Sequence, residues 1–269
     1  MYPSRPSRLR PAPKPKKTRR LLVLALFLVL AIVGLLLLGL LLINNGNDHT
    51  LMSNATRKSS SNFNKKKHSL NEPASVWVVI NKQLALNPAG YEPAGLVTPA
   101  MPLRLAAGSM EMLVRSDAVS ALEQLTKEAE TQGVRLMLAS GYRSHGFQKN
   151  LYNNYVKTQG QTVADRTSAR PGHSEHQTGL AIDLEPVSRK CEVEVCFGDL
   201  TEGKWLAAHA HAYGFIIRYP KGKEAITGYD YEPWHLRYVG TELAAEMHKQ
   251  NIQTLEEFFN LGAAATYKP

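Results

Sequence analysis

The stretch Ser174-Glu175-His176-Gln177-Thr178-Gly179-Leu180-Ala181-Ile182-Asp183 carries an imidazole and a carboxylate close together, and Glu232-Pro233-Trp234-His235 supplies an acid and a second imidazole far downstream. Taken singly, each has an ordinary reading: a surface histidine, a turn residue at a strand end, two neighbours in a loop. Taken together, His176, Asp183 and His235 are the two-imidazole, one-carboxylate set that holds a catalytic zinc with its fourth position open to water. Such an ion lowers the pKa of water from about 15.7 toward 7. Glu232 is then free to accept the proton as general base and return it to a leaving amine.

These side chains need elements that aim them at one point. Residues 179 to 184 read as a short apolar strand, with Asp183 near its end and His176 in the loop before it. Pro233 keeps Glu232 and His235 off a shared helical turn and places both in a loop or strand entry. No His-Glu-x-x-His run occurs.

At the level of motifs the sequence resembles the LAS zinc peptidases, whose pattern is Ser-x-His-x-x-Gly-x-Ala-x-Asp followed by Glu-x-x-His. Pro171-Gly172-His173 before that stretch and Tyr229-Asp230-Tyr231 before Glu232 point to the VanY-type D-alanyl-D-alanine carboxypeptidase branch, as do Ser140-Gly141-Tyr142-Arg143-Ser144 and Arg218-Tyr219-Pro220-Lys221-Gly222-Lys223. The likeness covers roughly residues 72 to 262. It implies a single α+β domain with a small mixed or antiparallel sheet, helices mainly on one side and the metal at one sheet edge. It implies Zn2+ as cofactor and peptidoglycan stem peptides as substrate. Arg143, read alone, is either a surface arginine paired to a carboxylate or a substrate contact; the resemblance favours the contact. It also brings Gln148 and Ser174 forward as polar substrate contacts.

Composition locates the rest. The chain has 269 residues, 43% hydrophobic, enough for a sizeable core. The net charge of +9 is concentrated at the N-terminus, where residues 1 to 20 hold eight Lys or Arg and no acid. That leaves the folded part without an excess of positive charge and gives no reason to expect a nucleic-acid partner. Residues 1 to 20 read as a basic cytoplasmic tail. Residues 21 to 43 contain no charged side chain across 23 positions, and a helix of that length at about 1.5 Å per residue crosses a core of about 30 Å. It reads as a single-pass transmembrane anchor; a secretory signal peptide has a shorter apolar region and a small-residue cleavage site. The basic flank sets the N-terminus inside and everything after residue 43 outside the membrane. Residues 44 to 71, rich in Asn, Ser and Lys, read as a flexible linker, and residues 72 to 269 as the zinc carboxypeptidase domain. Cys191 and Cys196 are the only cysteines; in a cytosolic protein they stay reduced, in an exported one they form a loop-closing disulfide.

Within the domain, residues 76 to 80 read as a strand. A helix follows from Ser116 as N-cap to a stop at Gly133, then a strand over residues 134 to 138, a helix over 146 to 157, a helix over 201 to 213, a strand at 215 to 217, a strand from His235, and helices over 241 to 250 and 255 to 259. His209 and His211 lie two apart on a helix and point to different sides, so neither is a ligand. His173 pairs with the wall peptide or with loop backbone. The expected activity is removal of the terminal D-alanine from stem peptides. The rival readings are an L,D-carboxypeptidase, an endopeptidase on the same peptides, and a non-catalytic wall-binding module, against which the presence of Glu232 argues.

Overall fold

A computed structural model describes residues 63 to 268; the expected cytoplasmic tail, transmembrane segment and most of the linker lie outside the described residues. Among the described residues no helix is long and apolar enough to cross a membrane.

Strands β1 (Leu96–Val97) and β2 (Val114–Arg115) make a short antiparallel pair that runs straight into helix α1 (Ser116–Thr131). Ser116 is the first helical residue rather than the N-cap: Arg115 occupies the cap position and makes no side-chain cap bond, and the Ser116 backbone N–H donates to the Gly95 carbonyl. Strand β3 (Leu136–Ser140) leads to α2 (His145–Gln159), whose cap is Ser144, its hydroxyl accepting from the Phe147 N–H. The short α3 (Gln161–Thr167) precedes a 3-10 turn (Glu175–Thr178) and strand β4 (Ala181–Pro186). Helix α4 (Thr201–His209) tightens into a 3-10 turn (Ala210–Tyr213) and stops at Gly214 in the left-handed region, φ 83°. Then come β5 (Phe215–Tyr219), α5 (Glu224–Thr227), β6 (Glu232–Tyr238), α6 (Thr241–Lys249) and α7 (Leu255–Phe259).

The main sheet is antiparallel throughout, in the order β3-β4-β6-β5. Strand alternation gives its two faces different chemistry. Leu136, Leu138, Ile182, Leu184, Phe215 and Leu236 turn to a core shared with α1 and α4. Ile216 turns the other way, into a second core built by α6, α7, Trp77 and Val79. Helices therefore cover both faces, not mainly one.

Two further expectations change. Residues 76 to 80 form no strand: Val76 and Trp77 lie in a turn, Trp77 to Ile80 are buried, and guanidinium groups rather than a neighbouring strand meet the carbonyls, Arg237 donating to the Val76 and Val78 oxygens at 3.0 and 2.8 Å. Residues 63 to 71, expected in the linker, belong to the folded domain. Phe63 stacks on Trp77 at 5.5 Å, the Leu70 carbonyl accepts from the Val79 N–H, and Lys67 pairs with Glu242.

Candidate metal centre and active site

Asp183 on β4 and His235 on β6 are directly paired residues of adjacent antiparallel strands, so their side chains stand side by side on one face. These are the two central strands, and the site therefore lies at mid-sheet rather than at an edge. His176 reaches the same point from the 3-10 turn. Gly179 makes that approach possible: its φ is 69°, and a Cβ there would meet the Arg115 backbone nitrogen at 3.2 Å. Candidate ligand atoms of His176, Asp183 and His235 lie within 4.8 Å of one another, and all three residues are buried.

The chemistry of the three groups fits a metal cation. His176 Nδ1 lies 2.6 Å from the Gly141 carbonyl, which can only accept, so that nitrogen carries the proton and Nε2 turns its lone pair to Asp183 at 3.3 Å. His235 presents Nδ1 to Asp183 Oδ1 at 3.2 Å, and that oxygen has no hydrogen-bond partner. Burial pushes the His176 pKa down to about 4, helped by the Arg143 charge, so the ring is neutral and ready to ligate. Burial also works against charge on His235, yet the Asp183 and Glu175 carboxylates facing its two ring nitrogens push it up to about 9. The acids around this ring favour a cation there, and a proton and a metal compete for it.

Glu232 lies on β6 beyond a register shift: Ile217 pairs with Leu236, but Tyr219 pairs with Glu232. Such irregularities re-aim side chains beside active sites. Here one brings Glu232 Oε2 to 3.4 Å from His235 Nδ1. Burial pushes its pKa up to about 7, with His235 opposing and Asp183 adding to the rise.

Arg143 follows β3 and donates through Nη2 to Asp183 Oδ2 at 2.7 Å and through Nε to Ser140 Oγ at 3.0 Å. Of its two sequence readings the structure shows the pairing to a carboxylate, and that carboxylate is a candidate metal ligand. Gln148 and Ser174 line the same cleft of about 370 Å³. The Gln148 amide nitrogen is taken by Ser168 and Ala169, while its buried Oε1 has no partner. Cys191 and Cys196 are disulfide-bonded, and their loop sends Val193 and Val195 to the cleft wall. His209 bonds the Trp205 carbonyl, His211 stacks on His248, and His173 bonds the Asn81 carbonyl; none joins the metal set.

Sequence reading missed the ionic group behind the site. Arg218 and Arg237, both fully buried, converge on Glu175, and Arg218 also makes a two-bond contact with Glu256. The available signal was an arginine inside each of the strands β5 and β6, next to apolar residues, which demands a buried acid.

A family model described as VanY, D-alanyl-D-alanine carboxypeptidase, matches residues 111–241. YodJ of Bacillus subtilis (strain 168) is 44% identical over 190 residues, covering 71% of this chain and 69% of YodJ. Among solved structures, the LdcB LD-carboxypeptidase aligns with a TM-score of 0.66 at 43% identity, over 70% of this chain and 87% of that one. A VanY D,D-pentapeptidase from a VanB-type resistance cassette, in complex with Zn(II), aligns at 0.56 and 30% identity, over 68% and 98%. With the ligand triad and the adjacent acid in place on the matched segment, the chain belongs to the VanY family of zinc-dependent carboxypeptidases.

Proposed function

We propose that the chain removes the C-terminal D-alanine from peptidoglycan stem peptides, acting as a D-alanyl-D-alanine carboxypeptidase. The observation that carries this is the convergence of His176, Asp183 and His235 with Glu232 at 3.4 Å from the His235 ring. Bound zinc supplies a Lewis acid and an activated water. Glu232, held near neutrality by its burial, takes a proton from water at the cleft and passes it to the departing D-alanine amine. Arg143 sits where its guanidinium can stabilise the oxyanion or hold the terminal carboxylate, since its fork suits both anions. Gln148 offers only its Oε1, an acceptor for a peptide N–H.

The likeness to the LdcB LD-carboxypeptidase favours a second reading, in which the substrate is the tetrapeptide with one terminal D-alanine. Incubating the zinc-loaded protein with a pentapeptide ending in D-Ala-D-Ala and with that tetrapeptide separates the two. Alanine release from the pentapeptide alone supports the D,D reading and release from the tetrapeptide alone the L,D reading; release from neither ends both.

The apolar run at residues 21 to 43 supports a single-pass anchor that holds the enzyme on the outer side of the cell membrane. Fractionation with protease accessibility in intact protoplasts tests it. A full-length chain recovered from the soluble fraction is the contrary result.

A further inference from the structure

We infer that Glu175, the residue preceding ligand His176, is a positioning residue of the metal centre: it receives the His235 Nε2–H and so keeps the His235 Nδ1 lone pair turned toward Asp183. This rests on the zinc reading of His176, Asp183 and His235. Two buried polar atoms carry it. Glu175 Oε2 and His235 Nε2 each lack a hydrogen-bond partner, and they face one another at 3.7 Å. Each orphan is costly alone, and the pair resolves both when the gap closes by about half an ångström, into hydrogen-bonding range.

The arginines do not account for Oε2. Glu175 Oε1 alone accepts from Arg218 Nε at 2.8 Å and from Arg237 Nη1 at 2.9 Å. Arg218 is also matched by Glu256, through bonds of 3.0 and 2.7 Å, and Arg237 Nη2 is spent on the Val76 and Val78 carbonyls. The two guanidinium groups thus fix the carboxylate's orientation and leave one oxygen for the ring. A carboxylate behind a ligating imidazole sets its tautomer and strengthens it as a donor, and loss of such a partner weakens metal affinity about 10- to 100-fold.

Three full-length, zinc-loaded proteins test this: wild type, Glu175→Gln, and Glu256→Gln, which removes an acid from the same buried network at a position that does not face His235. Zinc affinity is measured by competition with a chromophoric chelator. His235 is assigned by 15N–1H NMR. The expected results are a slowly exchanging Nε2–H on His235 in the wild type, a 10- to 100-fold weaker zinc Kd for Glu175→Gln, and a lowered Tm with zinc affinity within about twofold for Glu256→Gln. Zinc affinity in Glu175→Gln within twofold of wild type, or ligation of His235 through Nε2, overturns the proposal. Should Glu175→Gln not fold, the wild-type spectrum decides by itself. A wild type that binds no zinc sinks the underlying metal reading as well, and that outcome is distinct from intact zinc binding indifferent to Glu175.

Discussion

Opening the Cys191–Cys196 disulfide should raise KM while sparing kcat, zinc content and most of the stability. The bond closes a ring with a sequence separation of 5, and the chain-entropy relation for so small a ring gives about 2 kcal/mol. Against this stands the backbone the loop must adopt: Arg189, Cys191 and Val193 have φ of 58°, 57° and 48°. Each such residue costs about 1–3 kcal/mol, and a β-branched valine is poorly suited to that region. The two contributions oppose each other, so a Cys191→Ser/Cys196→Ser protein should lose no more than roughly 4 to 8 °C in Tm. What keeps the loop in place otherwise is Glu192, held by Arg104 at 2.6 Å and by Arg189 at 3.0 Å. Those are partly exposed pairs and weak by themselves. Val195, 55% exposed, and Val193 line the cleft on this loop. Covering a valine fully is worth about 1.5–3 kcal/mol; losing half of that for each of the two side chains gives about 1.5–3 kcal/mol, or roughly a 10- to 150-fold rise in KM. Steady-state kinetics on the tetrapeptide or pentapeptide, with metal analysis, measures this, and Val195→Ala should reproduce part of it. A fall in kcat at constant KM, or no kinetic change with the loop shown to be open, refutes the reasoning.

Glu232→Gln keeps the side-chain shape but removes the base, so kcat should fall about 10²- to 10⁴-fold with zinc still bound; retention of kcat within tenfold would move the proton transfer to another group. Stripping zinc with a chelator should abolish hydrolysis and, relative to a thousandfold excess over Kd, cost about 4 kcal/mol of stability, roughly 8 to 16 °C in Tm, readable by scanning calorimetry. Asp165 bears on pH: burial works to raise its pKa, but hydrogen bonds from Arg170 and Tyr152 hold it below the usual carboxylate range. A depressed folded pKa means the contribution is present above the unfolded pKa and lost as pH falls through the folded one. Asp165→Asn should therefore cost about 1 kcal/mol near neutrality, since Arg170 is 34% exposed, and the gap from wild type should narrow as pH falls; urea titrations at about pH 7 and pH 3 check it. A gap that widens on acidification has the wrong sign.

The metal triad was legible because local rules already aim it: an apolar strand carries Asp183 to its paired neighbour, and Pro233 holds Glu232 and His235 out of a helix. The ionic group behind it was not. Glu175 meets Arg218 and Arg237 across 43 and 62 residues of chain, and nothing in a window of sequence says which acid a buried arginine finds. The run at residues 76 to 80 misled for a related reason: its apolar character does predict burial, but whether a carbonyl is met by a strand or by a guanidinium depends on side chains far away. The second helical layer escaped because Ile216 is one residue among alternating apolar neighbours, and strand alternation reports two faces without saying what covers them.

The same alternation explains why the catalytic and ionic groups share one region. On β4 and β6, Ile182, Leu184 and Leu236 fill one face, while Asp183, Glu185, His235 and Arg237 occupy the other, all of them buried. A sheet selected for stability alone would place apolar side chains on both, since replacing a buried ion pair by packed hydrophobes is often neutral or stabilising. Charges held at mid-sheet are a departure from local consistency of the kind expected at functional sites. The triad needs rigid strands to hold three ligand groups within a few ångströms, and those strands are rigid only where they are central. On that same buried face the charges of Arg218 and Arg237 are matched by Glu175 and Glu256, so the polar surroundings of Asp183 and His235 carry no unpaired cation.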